Sequence, residues 1–233
     1  MIQDLQGLLQ ADSTATATGA ATGGTEMGIS FYELFLAGGW LMWVLLGLSF
    51  VAVWIFVERM LAIVKASQTD NRFMEQIKQY VHSGQINYAI DLCRMTESPI
   101  ARLIEKGLER IGRPLTDVQT AVENMGNLEV ARLERGLPML ATVAGGAPMI
   151  GFLGTVIGMI QAFYNMAEAG NNIDVSLLSG GIYVAMVTTV GGLIVGILAY
   201  FGYNYLVARI ERIIYKMESN TIEFMDLLNE PVQ

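Results

Sequence analysis

Three stretches of the chain carry no charged residue: Leu34–Val57, Gly136–Ala167 and Val175–Ala208. Each exceeds the roughly 18 apolar residues that point to a membrane-crossing helix. As a helix, the Gly136–Ala167 run would measure roughly 48 Å, against about 30 Å of bilayer hydrocarbon. Between the first two runs, residues 59–137 interleave apolar and charged positions with the period of amphipathic helices. Thr69 is placed to cap a helix that runs to about His82, where Ser83-Gly84 stops it. A second helix spans about Gln85 to Thr96. Ser98-Pro99 starts a third, an N-cap followed by proline at the first helical position. It presents Ile100, Leu103, Ile104, Leu108 and Ile111 on one face and closes at Gly112-Arg113-Pro114. Thr116 and Gln119 have capping-box spacing and start a fourth helix. No stop signal follows before Pro138, so the pattern predicts one helix running on into the second span.

The chain therefore reads as an all-α membrane protein with three transmembrane helices, the second and third long and extending into a cytoplasmic helical domain. Residues 1–30 are expected to be a flexible periplasmic extension, because their Ala, Thr and Gly-rich composition has too little apolar surface to fold alone. The first span covers 31–58, with Trp40 and Trp43 toward its outer end, Trp54 toward its inner end, and Gly38-Gly39 placed to bend it. The cytoplasmic domain covers 59–137, the second span 138–166, a periplasmic loop 167–176 and the third span 177–206. A cytoplasmic helix, 207–233, completes the chain. The opening MIQDLQGLLQ lacks the basic region of a cleavable signal peptide.

Composition adds orientation to this outline. The 233 residues are 53% hydrophobic and 15% charged, where soluble domains carry about 25% charged residues. Of the 14 Lys and Arg, Arg209, Arg212 and Lys216 lie in the tail, and the others all fall between Arg59 and Arg135. Positive charge concentrates on the cytoplasmic side of membrane spans. The N-terminus is thus expected outside and the C-terminus inside. The net charge of −8 carries no argument for nucleic acid. One cysteine (Cys93) and one histidine (His82) give neither a disulfide framework nor a zinc site, and no cofactor is implied.

The candidate chemistry lies in the second and third runs. Ala144, Ala147, Gly151, Thr155, Gly158 and Ala162 recur at spacings of three and four, a stripe without bulk on one helix face. Ala185, Thr189, Gly192, Gly196 and Ala199 form a matching stripe on the third span. Such faces admit close approach of another helix. Thr155 and Thr189 lie in the stripes, Thr188 beside the latter and Thr142 nearer the inner end. A threonine in a membrane helix ordinarily bonds to a carbonyl of its own helix or helps helices pack. Two on matching faces read instead as a lining surface. Pro148 removes an N–H and conflicts with the Ala144 carbonyl, which predicts a bend or a carbonyl freed toward a wet cavity. No Asp, Glu, Lys, Arg or His lies inside the three uncharged runs, whereas membrane proton relays use ionisable groups. A titrating group would have to come from another chain. GFLGTVIG lacks the Lys-Ser/Thr of a P-loop, and no nucleophile and base are paired, so an enzyme is not expected.

APMIGFLGTVIGMIQAF (147–163) followed by GGIYVAMVTTVGGLIVGI (180–197) resembles the two signature helices of the ExbB/TolQ/MotA proton-channel family, nearest to its ExbB and TolQ branch. SPIARLIEKGL (98–108) and the three-span topology are similar too. The resemblance implies a homopentamer in the bacterial inner membrane, with the second and third helices lining a central pore. The pore would hold the helices of a dimeric partner similar to ExbD or TolR, whose membrane aspartate carries the proton. Proton-motive force would then drive a TonB-like protein. By motif position, Thr155 and Thr189 match the family's pore threonines. Gly181-Ile182-Tyr183-Val184 departs from the pattern, with Val184 where a glutamate is frequent. The alternatives are a TolQ-like, secretion or gliding motor, and a membrane scaffold whose small stripes only pack helices.

Overall fold

The computed structural model describes residues 38–67, 72–168 and 175–229. The expected N-terminal extension, the beginning of the first span, the Thr69 cap, most of the loop after the second span and the last residues of the tail lie outside them. Among the described residues there are seven helices and no strand: α1 Trp40–Ser67, α2 Arg72–His82, α3 Ile86–Met95, α4 Pro99–Leu108, α5 Leu115–Glu134, α6 Leu137–Glu168 and α7 Val175–Asn229. Three stretches, in α1, in α5 together with α6, and in α7, are long and apolar enough to cross a membrane.

Local chemistry explains the helix ends, with three departures from the sequence reading. Gly38-Gly39 do not bend the first span. They form a turn, Gly39 at φ 64°, and α1 begins after it, then continues unbroken past Glu58-Arg59 to Ser67. The Ser98 hydroxyl caps α4 as expected, accepting the Ala101 N–H at 3.1 Å. Thr116 caps nothing: α5 starts at Leu115 behind Pro114, and the Thr116 carbonyl accepts the Thr120 hydroxyl at 2.8 Å. The single helix expected through residue 138 is two helices. Arg135 is extended (φ −56°, ψ 127°) and Gly136 takes φ 87°, a left-handed conformation that glycine adopts without a Cβ clash. Pro138 then falls in the first turn of α6, where its missing N–H has no partner to lose.

The charged end of the molecule holds one core. Ile77, Cys93, Ile104, Leu108, Val122 and Phe224 are buried there, from α2, α3, α4, α5 and the distal part of α7. Gly107 of α4 lies under the Phe224 ring and beside Val122. α7, 55 residues long and thus roughly 82 Å, joins this core to the membrane-spanning part. A carboxylate fixes α4 to α5: Glu129 is 1% exposed and meets Arg102 at 2.6 Å and Arg132 at 2.5 Å. Lys78 and Glu223 (2.6 Å) link α2 to α7. Arg59 reaches from α1 to the α5–α6 break, its guanidinium donating to the Arg132 carbonyl at 3.4 Å. That places a cation at a helix C-terminus, where the dipole favours it.

Candidate functional site

α6 and α7 run against each other along their small residues, and the contact is closer than side chains allow. A Cβ on Gly192 would stand 2.6 Å from the Ala147 carbonyl oxygen and 2.8 Å from Gly151 Cα. One on Gly151 would stand 3.0 Å from the Thr188 carbonyl oxygen, and one on Gly158 2.9 Å from Ala185 Cβ. Gly181 meets Ala162 in the same way, at 2.5 Å. Ala147, Gly151, Gly158, Ala162, Ala185, Gly192 and Gly196 are all buried, and Ala144 is half-buried. The small faces thus close on each other within one chain, and neither is left open for an outside helix. Close backbone approach of this kind is what small residues permit between membrane helices.

The seam also takes a different line through the threonines. Sequence spacing drew the stripes through Thr155 and Thr189. The structure runs them through Gly154 and Thr188, which is 2% exposed and touches Gly154. The signal was present, since Gly154 sits three residues after Gly151 and four before Gly158, a spacing as helical as the one through Thr155. Thr188 bonds back to the Ala185 carbonyl at 2.8 Å, buried in the seam at the wall of a groove that opens toward the start of α1. Thr155 and Thr189 are displaced to the rim, both half-buried. The Thr189 hydroxyl crosses the seam and donates to the Gly151 carbonyl at 3.1 Å. Gly151 O is the carbonyl one turn back from Thr155, and Thr155 donates instead to Phe152 O at 2.5 Å. The two hydroxyls therefore sit on carbonyls of consecutive residues. Thr142 does not join them: it is exposed, bonds to Pro138 O at 2.8 Å, and stands roughly 20 Å from Thr155 along α6.

Pro148 leaves α6 continuous from Leu137 to Glu168. The Ala144 carbonyl that loses its donor turns toward α7. It lies against the backbone of buried Gly196, which also accommodates the proline ring: a Cβ there would meet Ala144 O at 3.1 Å and Pro148 Cγ at 2.5 Å. Removing bulk from Gly196 is what permits the proline in a packed seam.

Toward the start of α1 the two helices part around a groove of about 350 Å³, lined by Gly39, Leu41, Gln161, Asn165, Gly180 and Val184 among others. Val184 presents a methyl-bearing wall there. Outside the seam, α6 and α7 expose apolar side chains, including Phe152, Ile160, Met186 and Ile194, each more than half exposed. A bilayer or other apolar chains would cover these faces. Among the described residues no three His, Cys, Asp or Glu gather as metal ligands.

This arrangement, two glycine-seamed spans with a hydroxyl pair on their rim, occupies the segment that a family model recognises. Residues 95–219 match the MotA/TolQ/ExbB proton channel family. The chain belongs to that family.

The match takes in α4, α5, α6 and α7 as far as residue 219, so both small faces and all four threonines fall inside it, while α1 precedes it. Named relatives agree. The chain is 28% identical over 187 residues to a "putative biopolymer transport protein ExbB homolog" of Methanothermobacter thermautotrophicus, covering 80% of this chain and 66% of that one. It is 35% identical over 141 residues to the biopolymer transport protein ExbB of Aquifex aeolicus, covering 59% of this chain and 86% of that one. Over 135 residues it is 27% identical to ExbB of Neisseria gonorrhoeae, covering 52% and 61%. In this member of the family, the titratable groups that are clearly perturbed among the described residues lie at the charged end. Burial pushes the Cys93 thiol up to about 12, with Glu105 adding to the effect. Hydrogen bonds from Lys65 and Lys106 hold Glu97 and Glu109 below the usual carboxylate range.

Proposed function

We propose that this chain is the pore-forming subunit of a proton-motive-force-driven motor in the bacterial inner membrane, energising a TonB-like protein for outer-membrane transport. The carrying observation is the Thr155–Thr189 rim. Two hydroxyls sit half-exposed on neighbouring carbonyls, in a second and a third span that contain no Asp, Glu, Lys, Arg or His. Hydroxyls can relay a proton or hydrogen-bond a carboxyl, but they do not titrate near neutrality, so the acid belongs to a partner. In this reading five copies form a ring, and a dimeric ExbD- or TolR-like partner brings a membrane aspartate to the rim. The N-terminus is periplasmic and the C-terminus cytoplasmic, as the Lys/Arg distribution supports.

Vesicles containing the chain co-expressed with its single-span partner test this by pH-dye flux under an imposed proton gradient. Thr155→Val and Thr189→Val are each expected to lower partner-dependent flux at least about tenfold while leaving assembly intact. Interhelical hydrogen bonds in membranes are worth only about 0.6 kcal/mol on average, so neither change should unfold the seam. Flux equal to the unsubstituted protein in both variants refutes the role of the rim.

One observation favours a second reading. The small faces are filled by each other, which a scaffold without transport would also need. Such a scaffold assembles normally and shows no partner-dependent flux in any variant.

A further inference from the structure

A basic pocket of about 400 Å³ lies between α1 and α7, just past the point where both apolar runs end. Arg209, Arg212 and Lys216 form its α7 wall, at spacings of three and four that put them on one helix face. Met60, Ile63, Val64 and Ser67 form the α1 wall, and no acidic residue lines it. Arg209 donates from Nε and one terminal nitrogen to the Tyr205 hydroxyl, at 3.2 and 2.9 Å, which holds its guanidinium in place. Arg212 and Lys216 have no ion pair among the described residues.

A second groove, of about 280 Å³ and apolar, lies between the same two helices, with Leu140 of α6 also lining it. Its α1 wall is Ser49, Ala52, Val53 and Phe56, and α7 supplies Val195, Leu198, Ala199 and Gly202. The basic pocket repeats the same faces three turns further along α1 and about four turns further along α7. The two hollows are thus collinear, one beside membrane hydrocarbon and one beside the charged end. The basic wall starts one residue past Ala208 and ends roughly 12 Å beyond it, so its nearer cations fall within a headgroup layer about 5–8 Å deep.

The geometry points to a phospholipid site: a lipid phosphate held by Arg209, Arg212 and Lys216, with an acyl chain lying in the groove above. The occupant is an anionic glycerophospholipid of the leaflet on that side. Its phosphate matches the cations, its chain matches the apolar wall, and basic pockets between membrane helices favour such headgroups. A zwitterionic lipid would bring a second cation into a pocket without an acid to receive it.

The test uses the full chain, purified and delipidated in maltoside detergent, titrated with phosphatidylglycerol and read by native mass spectrometry. Saturable binding is expected, with phosphatidylcholine at least about tenfold weaker. Arg212→Gln with Lys216→Gln should weaken phosphatidylglycerol binding about 25-fold, roughly fivefold for each charge removed. Both side chains are exposed, so melting temperature should hold. Arg212→Lys, which keeps the charge, should stay within about threefold of the unsubstituted protein. Lys106→Gln, on α4, should change nothing. Equal binding by the double-Gln variant overturns the proposal, as does equal binding of the two lipids. Displacement of phosphatidylglycerol by millimolar inorganic phosphate also overturns it, because the site would then recognise the free anion.

Discussion

The α6–α7 seam can be tested with one substitution made at two places. Gly192→Ala puts a methyl 2.6 Å from the Ala147 carbonyl oxygen and 2.8 Å from Gly151 Cα. Ordinary contact begins at 3.4 Å, so the helices must part by about 0.8 Å. Both obstructing atoms are backbone, and no rotamer change relieves them. Overpacking of this kind costs about 1–3 kcal/mol, and this site belongs at the upper end. Against it stands the helix preference of Ala over Gly, about 1 kcal/mol, leaving a net loss of about 2 kcal/mol. Gly145→Ala, on the same helix pair, has nothing within 4 Å of its new methyl and should keep the gain of about 1 kcal/mol. The two variants should differ by about 3 kcal/mol, or more than a hundredfold in the folding equilibrium. Unfolding in mixed micelles on titration with sodium dodecyl sulfate, followed by tryptophan fluorescence and circular dichroism, measures that difference. Equal stability of the two variants would refute a closed seam and restore an open face for an outside helix.

Four further outcomes follow from the charged end. Glu129→Ala removes a carboxylate that is 1% exposed and leaves Arg102 and Arg132 facing each other across α4 and α5. Because both guanidiniums keep water contact, the loss should be about 2–3 kcal/mol, below the 3–5 kcal/mol of a dry pair, measured by urea denaturation in detergent. The Cys93 thiol, 1% exposed and raised to about 12, should resist iodoacetamide at pH 8 until the protein is unfolded; labelling at the rate of a free thiol contradicts this. The same group destabilises the fold in alkali. Its folded value lies above its ordinary 9.0, so its contribution is intact below about pH 9 and is lost as pH rises toward 12. Cys93→Ala should flatten that part of the stability profile. Gly107→Ala, whose methyl would run into the Phe224 ring, should detach the end of α7 from α4, raising amide exchange over residues 218–229 with little change in α6.

The sequence by itself determined the architecture. Uninterrupted apolar runs can satisfy their backbone groups in a bilayer only as helices, so the three spans followed from composition. Ser98-Pro99 marked a helix start because capping is a local event within one turn. The break at Arg135–Gly136 is local too, but a lone glycine within a helical pattern does not announce a left-handed φ; Arg59, packed over the break from α1, belongs to the surroundings that fix it. The small stripes were equally legible as a pattern. What filled them was not, because helical spacings of three and four both keep a residue near one face, and only the crossing of α6 and α7 selects between Gly154 and Thr155, or between Thr188 and Thr189. That choice moved one threonine into the seam and left two at its rim. The pocket of Arg209, Arg212 and Lys216 shows the same division: the sequence places three cations on one face of a helix, and the packing of α1 alongside gives them a wall.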